Sequence, residues 1–349
     1  MSARRHFLRR SLQCASVPLL APLAARSASE RGRPLHILMI TFRGETDVDR
    51  GFRAYLADAG LNVRYTVRDL QRDITRMPAI VRDIPALAPD LIYVWGTPAT
   101  LALVGRHDDP DPQHHFIHDI PVVFALVSAP VQSGIVAQRE HPGRNVTGAV
   151  HVVPPAVQLR VMQHYRPWHT LGVLYNGAEA NSVAVVDETR AYCVQHGKQL
   201  LARRFHTDDR GQPVAEGVEQ LVDELRSAGA EWLYLLPDTF LGTMYDRVTP
   251  TALRLQLPSF GAAELAVRSG GALVGLISRY YSVGQLAGSK AYAILAEGRA
   301  PGSLPVETLK RFSLLVNMQV ARELRLYPPI DMLNYAEVIA VADQPAAAS

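Results

Sequence analysis

Val122-Val123-Phe124-Ala125-Leu126-Val127, closed by Ser128-Ala129-Pro130, is apolar at every position and has no face to offer water. Such a strand must be buried on both sides, the condition of a parallel sheet lying between layers of helix. The pattern recurs at 36–40 (HILMI), 91–95 (LIYVW), 171–175 (LGVLY), 232–236 (WLYLL) and 272–277 (ALVGLI). Stretches with helical spacing separate these runs at 48–59, 77–87, 99–104, 180–196, 214–228 and 282–296. Strand and helix alternate throughout, which predicts an α/β chain built on parallel sheets.

The chain has 349 residues, 48 % hydrophobic and 20 % charged, enough for two domains of ordinary size. Apolar content excludes disorder, and the apolar runs are too short for a multi-span membrane protein. Residues 1–29 hold Arg4, Arg5, Arg9, Arg10 and Arg26 with no acid; without them the formal +3 becomes −2. The basicity therefore belongs to the leader, and no electrostatic argument for a nucleic-acid partner remains. An arginine-rich start followed by a short, proline-broken apolar stretch from Ser11 reads as an export signal, and Arg4-Arg5-x-Phe7-Leu8-Arg9 resembles the twin-arginine consensus. Periplasmic location after signal removal is the expectation. The chain has two cysteines, Cys14 and Cys193. Cys14 leaves with the leader, so no internal disulfide is expected, and Cys193 reads as a packed helix residue.

Several chemistries lack a signature. G-x-S-x-G, H-E-x-x-H, C-x-x-C and G-x-G-x-x-G do not occur. Gly284-Gln-Leu-Ala-Gly288-Ser-Lys290 has one residue too few for a phosphate loop and lies inside a helical stretch, so a helix contact through small residues is the better reading. His107, His114, His115 and His118 crowd one acidic loop but have no scaffold to fix a metal geometry; a solvated polar loop is expected, with no metal and no cofactor.

In an open parallel sheet the ligand lies outside the carboxyl ends of the strands. The residues there are Phe42 and Arg43, Trp95, Gly96 and Thr97, Ser128, Tyr175 and Asn176, Asp238 and Thr239, Phe260, then Ser278, Arg279 and Tyr280. Small polar groups to orient a ligand beside aromatic faces to bury it suit a cleft for a small organic molecule. Two such sets, before and after about residue 150, predict two sheets whose loop-bearing edges face each other. Arg144-Asn-Val-Thr-Gly148 reads as a turn-rich boundary between them.

Arg144-Asn-Val-Thr-Gly148, the run Gln158-Leu-Arg-Val-Met-Gln-His-Tyr-Arg-Pro167, Leu171-Gly-Val-Leu-Tyr-Asn176, Leu236-Pro-Asp-Thr239, Leu257-Pro-Ser-Phe-Gly261, Ser278-Arg-Tyr-Tyr-Ser-Val-Gly284 and Leu315-Val-Asn-Met-Gln-Val-Ala321 occur in this order. Together they resemble the substrate-binding proteins of ABC transporters of the tryptophan/tyrosine-binding type. The resemblance implies a type I periplasmic-binding fold, two Rossmann-like lobes joined by three crossovers around an enclosed ligand. It implies a first lobe of 34–150 plus about 276–305, a second of 151–275 plus about 306–340, and a tail at 341–349. The implied role is capture of a small solute by lobe closure for a membrane permease, without catalysis. A ligand-sensing module feeding a membrane receptor or kinase and an exported α/β enzyme are the alternatives.

Two departures stand out. Family proteins commonly carry Asp-Pro-Val where this chain has Ala129-Pro130-Val131, and an acid where it has Arg279. If those acids grip an ammonium group, the cleft has exchanged negative for positive. The expectation is an anionic or aromatic solute whose anionic group is met first by Arg279 and next by Arg43, with Asp238 as the remaining acid; the competing reading makes both arginines lobe-surface charges.

Overall fold

The computed structural model describes residues 33–109 and 117–339, so the leader, His114, His115 and the tail lie outside the described residues. In chain order the elements of the first half are β1 (Leu35–Thr41), α1 (Asp47–Asp58), β2 (Val63–Asp69), α2 (Met77–Leu87), β3 (Leu91–Trp95), α3 (Thr97–Val104), β4 (Val122–Val127) and β5 (Val146–Val150). The second half holds α4 (Pro155–Tyr165), β6 (Thr170–Tyr175), α5 (Ala180–Gln195), β7 (Gln199–Arg204), α6 (Val218–Ser227), β8 (Trp232–Leu235), α7 (Tyr245–Arg254), β9 (Ser259–Gly261), α8 (Glu264–Arg268) and β10 (Val274–Ile277). Then come α9 (Tyr280–Leu295), β11 (Glu307–Thr308), β12 (Ser313–Asn317), α10 (Met318–Glu323), α11 (Ile330–Leu333) and β13 (Ala336–Ile339).

Two sheets result. The first is ordered β11-β5-β4-β3-β1-β2, with every neighbouring pair parallel. The second is ordered β13-β12-β10-β9-β8-β6-β7 and is parallel except where β12 runs antiparallel to β10. The chain passes between the sheets after β5, after β10 and after β11. Six residues of β4 are fully or almost fully buried, as its uniform apolarity requires. In the second sheet, Trp232 and Tyr234 of β8 pack on one face while Leu233 and Leu235 pack on the other. Helices on both faces are what let a strand be apolar twice over.

Arg144 to Gly148, read above as a turn-rich boundary, instead runs into the strand β5. Its polar members are satisfied inside the lobe: the Thr147 hydroxyl donates to the Leu304 carbonyl at 2.9 Å, and Arg144 donates to the carbonyls of Gly105 and Ile135.

The helix α9, which follows the second crossing, packs on α1 and against β4 and β5 of the first sheet. Small residues allow the approach. A Cβ on Gly284 would lie 2.0 Å from the Val48 carbonyl oxygen, and one on Gly51 would lie 2.0 Å from that of Tyr281. Neither oxygen is on a side chain that can swing away, so the backbone of one helix would have to move. The stretch with a passing likeness to a phosphate loop is thus a helix contact. Replacing Gly284 with Val should destabilise the protein by about 3 kcal/mol through overpacking, read as a lower urea midpoint; an unchanged midpoint would show that the helices separate freely.

Candidate functional site

The loops after the strand ends of the two sheets meet around one cavity of about 40 Å³. From the first sheet come Arg43 after β1, Trp95 and Thr97 at the β3–α3 turn, Leu126 and Ser128 at the end of β4 and His151 after β5, joined by Tyr280 at the start of α9, which follows β10 and packs on the first sheet. From the second come Glu179 and Asn181 at the start of α5, Asp238 and Thr239 after β8, and Tyr245 opening α7.

On the first side, Phe42 and Trp95 stack with ring centroids 5.5 Å apart and planes 13° from parallel. Arg43 lies over both rings, its guanidinium carbon 5.0 Å from the Trp95 centroid and 5.7 Å from that of Phe42. One Arg43 nitrogen donates to the Gly242 carbonyl across the gap at 3.4 Å, while Nε is buried without a partner. No carboxylate among the described residues pairs with Arg43, and burial pulls its pKa below the ordinary value. The aromatic faces hold the cation by cation–π attraction without neutralising it.

Leu126 adopts a φ of 55° where the register of β4 shifts against β5. A bulge with a left-handed non-glycine residue turns the chain and its side chain toward the cavity.

The second side carries acid. Glu179 accepts from the Thr239 backbone N–H at 3.0 Å and from its hydroxyl at 2.6 Å. Asp238 accepts from the N–H groups of Asn176 and Leu241 at 2.6 and 2.8 Å. Burial, then the neighbouring charge of Asp238, pushes Glu179 up to about 8, and burial also raises Asp238. Two carboxyls in one dry place cannot both ionise cheaply, so the pair retains a proton near neutral pH. His151 is the reverse case: burial lowers it to about 4 and keeps it neutral.

Five buried polar atoms without a hydrogen-bond partner belong to residues lining this cavity: Arg43 Nε, Trp95 Nε1, Thr97 Oγ1, His151 Nδ1 and Asn181 Oδ1. Orphaned buried groups are costly, so these five atoms lack the partners that burial demands.

Of the residues singled out from sequence, Arg43, Trp95, Thr97, Ser128, Asp238, Thr239 and Tyr280 line the cavity. Phe42 supports Trp95 from behind, Gly96 caps α3, and Asn176 holds Asp238. Four lie elsewhere. Phe260 is wholly buried in the core beside Tyr234. Tyr175 turns to the sheet edge, where its hydroxyl accepts from Arg204 Nε at 2.9 Å. Ser278 is buried outside the lining. Arg279 is drawn away by Glu337 of β13, with which it forms an ion pair, and by Ser313, whose hydroxyl accepts from its Nε at 3.0 Å. The anion contact expected of Arg279 is therefore corrected; Arg43 alone of the two arginines faces the cavity. Glu179, His151 and Tyr245 were missed because each sits one to ten residues beyond a strand end among unremarkable neighbours. Among the described residues no group of three or more His, Cys, Asp or Glu is placed to hold a metal.

Two facing parallel-sheet lobes with polar and aromatic loops closing on one small cavity define a two-lobed solute-binding protein of the type I periplasmic fold. The chain belongs to the ABC transporter substrate binding protein family, whose model matches residues 39–339. A tyrosine-binding protein of Clostridioides difficile (strain R20291) is 26 % identical over 280 residues, covering 79 % of this chain and 75 % of the relative. Among solved structures, a conserved domain protein from Vibrio cholerae superposes with TM-score 0.76 at 24 % identity, covering 88 % of this chain and 99 % of that one. An ABC domain from Streptococcus pneumonia in complex with L-Trp gives TM-score 0.76 at 21 % identity, covering 88 % and 100 %. Membership of that family makes this protein the solute-binding component of an ABC uptake system.

Glu179 gives the site a pH signature. Between the ordinary carboxylate value of 4.5 and about 8 the folded chain keeps a proton that the unfolded chain has released, so this group's contribution to stability falls as pH rises through that window. Glu179→Gln should flatten the loss of Tm between pH 5 and 8; parallel Tm–pH curves for the two proteins would rule out a raised Glu179 pKa.

Proposed function

We propose that the solute carries a carboxylate or similar anionic group and that Arg43 receives it. The observation behind this reading is a half-buried guanidinium in the cleft whose buried Nε has no partner and which pairs with no carboxylate among the described residues. A buried charge is held at a cost unless paired, so an anionic solute gains the pairing that the fold withholds. Arginine can take a carboxylate bidentately, and the Phe42–Trp95 shelf fixes the guanidinium before the solute arrives. Opposite it, the Asp238–Glu179 pair offers acceptors to hydroxyl or ammonium donors on the solute. Because Arg43 belongs to the first lobe and the acid pair to the second, a solute touching both stabilises the closed arrangement by its differential affinity. The names of the tyrosine-binding relative and of the L-Trp complex agree with an organic carboxylate as cargo. The arginine-rich leader supports export by the twin-arginine route and work in the periplasm, with a membrane permease as the receiving partner.

Mass spectrometry of the solute that copurifies with the protein identifies the cargo. For that solute, Arg43→Gln should weaken binding by about 10- to 100-fold, the loss of a charge-assisted hydrogen bond, whereas Arg279→Ala should leave affinity unchanged by calorimetry. Equal affinity in Arg43→Gln would reject the anion reading.

A further inference from the structure

The cavity around Arg43 has room for about three water-sized groups, too little for an organic solute of ordinary size, whose pockets run to about 300–1,000 Å³. A second cavity of about 420 Å³ lies between the same two lobes. Ser128 lines both. The two cavities are also lined by successive parts of the same elements. On α5, Asn181 lies at the first, and Val185 and Glu188, four and seven residues on, lie at the second. After β4 and β5 the chain does the same: Leu126 and His151 line the first, Ala129, Pro130 and Val152 the second.

Residues three and four apart share one face of a helix, so the two cavities lie along the same face of α5 and meet at Ser128. Their chemistry differs. The first holds Arg43, Trp95 and the acid pair. The second cavity has an apolar, buried floor, with Ala129, Val150, Val152 and Val185 each under one-tenth exposed, while Gln132, Gln138, Arg139, Glu140 and Glu188 form its polar walls and mouth.

We propose that this second cavity is a subsite for an apolar tail, so that the cargo is an elongated solute with a small charged head at Arg43 and an alkyl or aryl tail reaching past Ser128 between the lobes. The head rests on the reading under Proposed function; the tail rests on the second cavity. An apolar floor rewards each added methylene of a solute by removing it from water. Because Val152 belongs to the first connector between the lobes and Val185 to the second lobe, a tail seated there also bridges the lobes and adds to closure.

The test measures binding of butanoate, octanoate and uncharged 1-octanol by calorimetry. Octanoate should bind at least tenfold more tightly than butanoate. Glu188→Trp, a change at the solvent-exposed mouth, and independently Ala137→Trp on the opposite wall, should each cut that preference below threefold by filling the second cavity. A preference below threefold in the unaltered protein, or one that survives both tryptophans, overturns the tail subsite. Should 1-octanol bind as tightly as octanoate, with Arg43→Gln without effect and both tryptophan variants weakening it, the anionic head is rejected and the tail subsite stands. If neither octanoate nor 1-octanol binds, the tail subsite is rejected whatever Arg43 does.

Discussion

Parallel strands cannot be joined by a hairpin. Each must be followed by a crossover that returns the chain to the starting edge, usually through a helix packed on the sheet. In both sheets of this protein that requirement gathers the outgoing turns at one edge, and the residues that face the solute cavity are drawn from those turns. Arg43, Trp95, Ser128, His151, Asp238 and Tyr280 come from six separate turns and share a site only because the strands behind them point the same way. The interior of each sheet is apolar, so the turns are free to vary chemically without weakening the scaffold. The site is consequently polar and strained, with an unpaired cation, two buried acids and a left-handed Leu126, while the strands that carry it are not.

Electrostatics divides the labour between the lobes. One contributes a cation resting on aromatic faces and the other contributes an acid pair. The acids are met by hydroxyl and backbone donors of their own lobe, whereas Arg43 has no paired charge, and among the described residues its direct hydrogen bond across the gap is the 3.4 Å contact with the Gly242 carbonyl. The closed arrangement therefore gains little from direct contacts at this point and depends on a solute to complete them. That is the energetic condition for a carrier that must report whether it is loaded.

The fold was legible because its central strands are apolar on both faces, a pattern few other architectures permit. Edge strands were not: β2 and β7 are only half buried, so their residues alternate too weakly to stand out. The site was legible to the extent that a strand end marks its location. Strand-end position could not say which way a side chain turns. Arg279 follows β10 as Arg43 follows β1, yet Arg279 is claimed by Glu337, which lies 58 residues along the chain and arrives through the one antiparallel pairing in the second sheet. Phe260 failed for a related reason, since its three-residue strand is central and both of its faces are covered. Glu179 carries no signal in sequence; its importance arises from Asp238, brought beside it by the pairing of β6 with β8.

The three passages of the chain between the sheets have a mechanical meaning. A single tether would leave two bodies free to twist and slide, and a solute would then have to freeze several motions at once. Three side-by-side tethers resist twist and translation and leave mainly a bend about the line that joins them, as in a door with several pins. Little orientational freedom is left to lose on shutting, so a cargo held by few contacts suffices to keep it shut.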